Sequence, residues 1–241
     1  MRVIGVVPAA GYATRLGPSL ISKEMIPVAG RPVIDYLVER MREASCDEVR
    51  VVTRPQKRDL IAHAKSLGTE VIEAITGSTA ESVSRGLEGL DRRDVILVGF
   101  PDTLWEPLEG FRRLVDALNG SPVALGIFRG LEPARSDVVS WTPQGRVTSI
   151  ETKPAKPRSN WVWGCLAAKC AALEGIAEFD EIGGFLDALS TRGSVAGIHL
   201  SDFFLDVGTS DAMALYGGMT YERIEQEVRV KALRSSFTLH A

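Results

Sequence analysis

The sequence predicts an α/β fold in which a mostly parallel sheet is covered by helices on both faces. Three observations carry this. Short apolar runs alternate with helix-period segments through the first half of the chain, which is the pattern of βαβ units. The first run, Val3-Ile4-Gly5-Val6-Val7, is apolar throughout and ends at Pro8, as suits a strand buried on both faces. Ala9-Ala10-Gly11 follows directly, and small residues after a strand let backbone amides approach a ligand at the carboxyl end of a sheet.

The elements then follow in order. Pro32 opens a segment in which Ile34, Leu37, Val38 and Met41 recur at i, i+3, i+4 and i+7, one face of a helix with Pro at its first position. Val49–Thr53 reads as a second strand. Pro55 opens a second helix that Gly68 closes, because glycine takes the left-handed conformation that ends helices. Glu70–Ile75 is a third strand. Ser78-Thr79-Ala80-Glu81 has the spacing of a capping box, so a third helix runs from there to about Leu90. Asp94–Gly99 is a fourth strand, and a helix over about Leu108–Leu118 follows.

The second half is less regular. Val123–Phe128 and Asp137–Trp141 read as strands, and Pro143-Gln144-Gly145-Arg146 as a turn that returns Val147–Thr152 antiparallel. Lys153–Asn160 is a basic, Pro-rich loop. Trp161–Ala168 is a further strand and Ile182–Leu189 a helix closed by Gly193. Val195–Leu200 and Phe203–Leu205 are the last strands, and a C-terminal helix starts at about Ser210.

Composition sets the class. The 241 residues are 45% apolar, 24% charged and 7% aromatic, which excludes a disordered or collagen-like chain. There is no Gly/Ser linker, low-complexity tract or repeat, so one domain with inserted hairpins is the simplest organisation. A net charge of −3 gives no global field toward nucleic acid or an anionic membrane. Ala117–Phe128, as long as any stretch free of Asp, Glu, Lys and Arg, falls well short of the ~20 apolar residues of a membrane span. The N-terminus reads as a strand, not a signal peptide. Cys46, Cys165 and Cys170 are odd in number and without Cys-x-x-Cys spacing, as expected of reduced thiols in a cytoplasmic protein. His63, His199 and His240 are scattered, giving no support to a metal cluster or a Ser-His-Asp triad.

The chemistry concentrates around the first loop, Pro8-Ala9-Ala10-Gly11-Tyr12-Ala13-Thr14-Arg15-Leu16, and Lys23 beyond it. Backbone amides plus the planar fork of Arg15 suit phosphate oxygens, and Lys23 is a second cation in the same connection; the bland alternative is that both are solvated loop charges. The loop is neither a G-x-G-x-x-G fingerprint nor a Walker motif, which disfavours a nicotinamide or flavin enzyme. Asp102 and Asp206 each follow an apolar run. If their strands are neighbours in one parallel sheet, both carboxylates face the crevice above Gly11 and make a Mg²⁺ site beside phosphates; each alone also reads as a turn or cap residue. Trp163 borders the basic loop, where it either stacks on a ligand or packs its strand against the core.

Read in order, Ala9-Ala10-Gly11 through Thr14-Arg15-Leu16, Ser22-Lys23 and Pro27-Val28, then Asp102, then Ser149-Ile150-Glu151-Thr152-Lys153-Pro154 with Pro157-Arg158-Ser159-Asn160, and Leu205-Asp206-Val207-Gly208-Thr209, resemble the sugar-1-phosphate nucleotidyltransferase family. The likeness is to its glucose-1-phosphate thymidylyltransferase type and covers about Arg2 to Asp211. The resemblance implies a three-layer α/β/α sandwich of the nucleotide-diphospho-sugar transferase type. It implies a nucleotide-binding part over about 1–120, a sugar-phosphate part over about 121–215 and a C-terminal helix over about 210–235. It places Ala9, Ala10, Gly11 and Thr14 against the nucleotide, with Ser82 a looser match. It gives Arg15 and Lys23 the phosphates, Asp102 and Asp206 the Mg²⁺, and Glu151, Lys153, Gly164 and Thr209 the sugar phosphate. Thr152 stands where the family usually has an acidic residue before the lysine.

The implied reaction is NTP + sugar 1-phosphate → NDP-sugar + pyrophosphate, with dTTP or UTP and glucose 1-phosphate favoured. The implied partners are these two substrates, with no nucleic acid and no membrane, and a homo-oligomer is allowed. Two rival readings stand beside it: a cytidylyltransferase for a polyol phosphate or phosphocholine, and a non-catalytic regulatory subunit of the same fold.

Overall fold

The structure, a computed structural model, describes residues 1–11, 21–207 and 219–238. The first strand, β1 (Val3–Ala9), is followed by a single 3₁₀ turn (Lys23–Met25) and a two-residue hairpin, β2 (Pro27–Val28) and β3 (Arg31–Pro32). Next come α1 (Val33–Glu43), β4 (Glu48–Thr53), α2 (Arg58–Ser66), β5 (Glu70–Glu73), α3 (Thr79–Leu87) and β6 (Val95–Gly99). The alternation expected from the sequence is thus present. Pro32 caps α1 rather than opening it, α2 starts three residues after Pro55, and α3 stops at Leu87.

Then come β7 (Thr103–Trp105), α4 (Gly110–Ala117), β8 (Val123–Arg129), the hairpin β9 (Val138–Trp141) and β10 (Val147–Glu151), and β11 (Trp161–Lys169). The chain continues through α5 (Ile182–Ser190), β12 (Val195–Ser201), β13 (Phe204–Asp206) and α6 (Tyr221–Thr238). The expected start of the C-terminal helix near Ser210 lies outside the described residues.

Strands β5, β4, β1 and β6 pair in parallel, in that order. β11 runs antiparallel between β6 and β8, and β12 closes that edge parallel to β8. The β9–β10 hairpin joins β11 at Val162, opposite Val138. Most strands of the sheet therefore share one direction, with β11 reversed inside it and β10 reversed at its hairpin end.

Alternate side chains of β1 sort the layers. Val7 packs with Ile34 and Leu37 of α1, Leu60 of α2 and Phe111 of α4, whereas Ile4 and Val6 pack with Val83 of α3 and Phe185 of α5. Both faces are covered, as an all-apolar central strand demands. The fold is the three-layer α/β/α sandwich. Among the described residues, no helix is long and apolar enough to cross a membrane.

Candidate functional site

The parallel strands β1, β4 and β6 all end at one edge of the sheet, and the candidate site is built there. Ala9 and Ala10 are buried, and Gly11 is exposed. The Ala9 carbonyl accepts from Lys57 Nζ at 2.8 Å, and the Ala10 carbonyl accepts from the Arg54 guanidinium. Arg54 is 6% exposed and also donates to the Thr76 carbonyl at 2.8 Å. A buried and a largely buried cation thus fix the backbone where the ligand loop leaves β1.

Lys23 sits on the 3₁₀ turn and donates to Asp102 Oδ2 at 2.6 Å. Burial pulls the Lys23 ammonium down, but Asp102, Glu24 and Asp206 around it prevail and hold it above the usual lysine value. Burial pushes the Asp102 carboxyl up, and Lys23, by charge and hydrogen bond, overrides this to hold it below the usual carboxylate range. The pair is ionised across neutral pH.

The sequence reading made a shared site conditional on the strands of Asp102 and Asp206 being neighbours in one parallel sheet, and in the structure that condition is not met. Asp206 ends β13, which pairs antiparallel with β7 in a separate two-stranded ribbon that sets Asp206 opposite Thr103. The Val207 N–H donates to the Asp102 carbonyl at 2.9 Å. β7 begins directly after Asp102, so the ribbon joins the two acids without sheet adjacency.

These residues wall a cleft of about 180 Å³ together with Asp137, Lys153 and Trp163. Thr79, at the start of α3, and Glu181, just before α5, also line it. Lys153 Nζ pairs with Glu181. Trp163 is 4% exposed and its Nε1 donates to Asp137 Oδ2 at 3.3 Å, so it both packs in the core and contributes a polar atom at the cleft. Gly164 lies beneath the Phe204 ring, where a Cβ would stand 2.2 Å from Cε2. Its bareness lets Phe204 form cleft wall.

Other residues singled out in the sequence fall elsewhere. Ser82 is 2% exposed and bonds Thr76 Oγ1 at 2.7 Å and the Ser78 carbonyl at 3.0 Å. It braces the loop before α3. Glu151 ends β10 with Arg158 Nε 3.9 Å away. Thr14, Arg15 and Thr209 lie outside the described residues. Sequence reasoning missed Arg54, Lys57, Asp137 and Glu181. For Asp137 a signal existed, since it heads a recognised strand, as Asp102 follows one.

Asp102 and Asp206 fit a Mg²⁺ ion by the chemistry of their donors. Among the described residues no group of three or more His, Cys, Asp or Glu could hold a metal. Two hard carboxylates lining one cleft are a donor type that Mg²⁺ accepts, because it keeps several waters and needs only one or two protein carboxylates.

The sequence profile of the MobA-like NTP transferase domain matches residues 5–181. A glucose-1-phosphate thymidylyltransferase of Neisseria meningitidis is 27% identical over 169 residues, 65% of this chain and 58% of that protein. A UTP–glucose-1-phosphate uridylyltransferase of Pseudomonas aeruginosa is 47% identical over 58 residues, 23% of this chain and 21% of that one. The chain therefore spans less than two thirds of the length of either relative. A crystal structure from Bacillus anthracis, of a protein assigned as a glucose-1-phosphate thymidylyltransferase and solved with sucrose, superposes with a TM-score of 0.77. It is 17% identical and covers 94% of this chain and 95% of its own, a likeness of fold.

Proposed function

This chain belongs to the MobA-like NTP transferase family, and from that premise we propose that it transfers a nucleotidyl group from an NTP to a sugar 1-phosphate. The observation that carries the reading is the joining of the Lys23–Asp102 pair, Asp206 and Lys153 in one cleft at the carboxyl edge of the sheet.

The chemistry asks little of the protein beyond placement and charge. A phosphate oxygen of the sugar phosphate is already anionic, so it needs no general base. It forms a bond to the α-phosphorus while the α–β phosphoanhydride bond breaks and pyrophosphate departs with the electron pair. The barrier lies in bringing anions together in line. Lys23, on the β1 side of the cleft, serves the nucleotide phosphates, and Lys153, on the β10 side, serves the sugar phosphate. Asp102 and Asp206 would hold Mg²⁺, which when bound neutralises charge between the two phosphates. Arg15, by resemblance, adds a bidentate contact to the same phosphates. The nucleotides we propose are dTTP or UTP, and the sugar is glucose 1-phosphate.

The test is pyrophosphate release from five NTPs, each paired with several sugar 1-phosphates, phosphocholine and a polyol phosphate. We expect dTTP or UTP with glucose 1-phosphate to be fastest, and Asp102→Asn to lose roughly 10²-fold in kcat/KM, the scale of one lost transition-state contact. Preference for CTP with a non-sugar phosphate would replace this reading by the cytidylyltransferase, and no release from any pair by a binding subunit.

A further inference from the structure

Asp137 is a cleft residue that the proposed chemistry leaves without a task. It precedes β9, and its carboxylate lines the cleft beside Lys153 and Trp163. Trp163 Nε1 holds Oδ2 at 3.3 Å, while Oδ1 is buried with no hydrogen-bond partner. A desolvated acceptor left unpaired is costly, and of the few such atoms among the described residues, Asp137 Oδ1 belongs to a residue that lines the cleft.

The surroundings are shaped around this carboxylate. At Gly183, in the first turn of α5, a Cβ would stand 2.2 Å from Asp137 Oδ2 and 2.9 Å from Thr152 Oγ1. Only glycine leaves that carboxylate its place. Lys153 holds a left-handed backbone at φ 43°, a conformation uncommon for a non-glycine residue. Burial pushes the Asp137 carboxyl up; the Lys153 ammonium and the Trp163 N–H oppose this, Glu181 adds to the rise and the Lys153 backbone N–H opposes it. The Asp χ2 torsion is broad and two-fold, and the residue lines the cleft, so the carboxylate is free to adjust to a ligand there.

We infer that Asp137 is a specificity-determining residue that accepts a hydrogen bond from a hydroxyl of the sugar phosphate. The inference rests on the proposed nucleotidyl transfer to a sugar 1-phosphate and assigns the group that reads the sugar. Lys153 sits beside it for the phosphate, so one corner of the cleft holds both ends of the same substrate. Trp163 Nε1 holds the other carboxylate oxygen, and Gly183 gives the group room.

The experiment uses glucose 1-phosphate and its monodeoxy analogues, each lacking one ring or exocyclic hydroxyl, with wild type, Asp137→Ala and Asp137→Asn. A hydrogen bond to a charged acceptor predicts that wild type disfavours one analogue by about 10- to 100-fold in kcat/KM. Asp137→Ala should lose that factor for the parent sugar, through KM, and handle that one analogue as wild type does. Asp137→Asn, which keeps the shape and an oxygen for Trp163, guards against a folding defect and should show the same selective loss. The KM for the NTP should stay unchanged in both. If wild type turns over and both folded variants keep its full discrimination at every hydroxyl, the assignment of Asp137 is overturned while nucleotidyl transfer stands. If wild type turns over no sugar 1-phosphate, the underlying reading falls, and this one with it.

Discussion

Glu24 exposes none of its side chain, and its Oε2 has no hydrogen-bond partner. Burial pushes its carboxyl above the usual glutamate value, against the charges of Lys57 and Lys23 and the hydrogen bond from Lys57. Lys57 Nζ, 2.7 Å from Oε1, is what makes the ionised form tolerable, and it reaches the Ala9 carbonyl as well. Removing one member of such a pair strands the other charge, at a cost of about 3–5 kcal/mol. Lys57→Met should therefore destabilise the protein by about that amount near neutral pH. A carboxyl with a raised folded-state pKa favours the folded chain fully below its unfolded value, and loses that advantage as pH rises through the raised one. Without Lys57 the value rises further, so the deficit should shrink toward mildly acid pH as Glu24 protonates. Denaturant unfolding of both proteins at the two pH values measures this. An equal deficit at both would show that Lys57 does not compensate Glu24.

At the scale of elements, α3 displays how local chemistry sets a boundary. Ser78 Oγ accepts the Glu81 N–H at 3.0 Å, and Glu81 Oε2 reaches back to the Gly77 N–H at 2.7 Å, one residue beyond the Ser78 amide of a standard capping box. Ser78→Ala should cost about 1 kcal/mol of stability, the usual worth of such a cap, read as a lower denaturation midpoint at unchanged slope. No change would mean that the Gly77–Glu81 bond alone holds the helix start. This cap was legible in the sequence because its partners lie within four residues, and β1, β4 and β6 were legible as apolar runs. The β7–β13 ribbon was not. Each strand is three residues long, their pairing joins distant segments, and nothing local in Phe204-Leu205-Asp206 distinguishes it from a sheet strand. The same holds for the corner made by Asp137, Lys153 and Glu181. It forms only because β11 places the β9–β10 hairpin and the start of α5 beside the β6 edge, a register no window of sequence contains. Asp102 and Asp206 stand out in the sequence as residues, Asp137 and Glu181 do not, and the route that joins them is not local to any segment.

The whole molecule divides its apolar interior into the two faces of the sheet and a third cluster at the site. In that third cluster, Ile26 and Val28 come from the segment after Lys23, Leu104 from β7, and Leu205 and Val207 from β13 and its end. Ile224 and Val228 of α6 pack on them from outside, both fully buried. The C-terminal helix thus covers the back of the ribbon that carries Asp206 and supports the turn that carries Lys23, so its packing is tied to the cleft rather than to the sheet. Ile224→Ala should lower stability by about 2–5 kcal/mol through lost burial and the cavity left behind. The larger consequence is regional. Because the third cluster is separate from the two sheet cores, its loosening is expected as a local opening below the global unfolding free energy. Amide exchange at Leu104 and Leu205, paired across β7 and β13, should accelerate more than exchange at Val6 in β1, which packs on the sheet face instead. Hydrogen exchange followed residue by residue distinguishes the two, and equal acceleration at all three amides would show that α6, the ribbon and the sheet open as one unit.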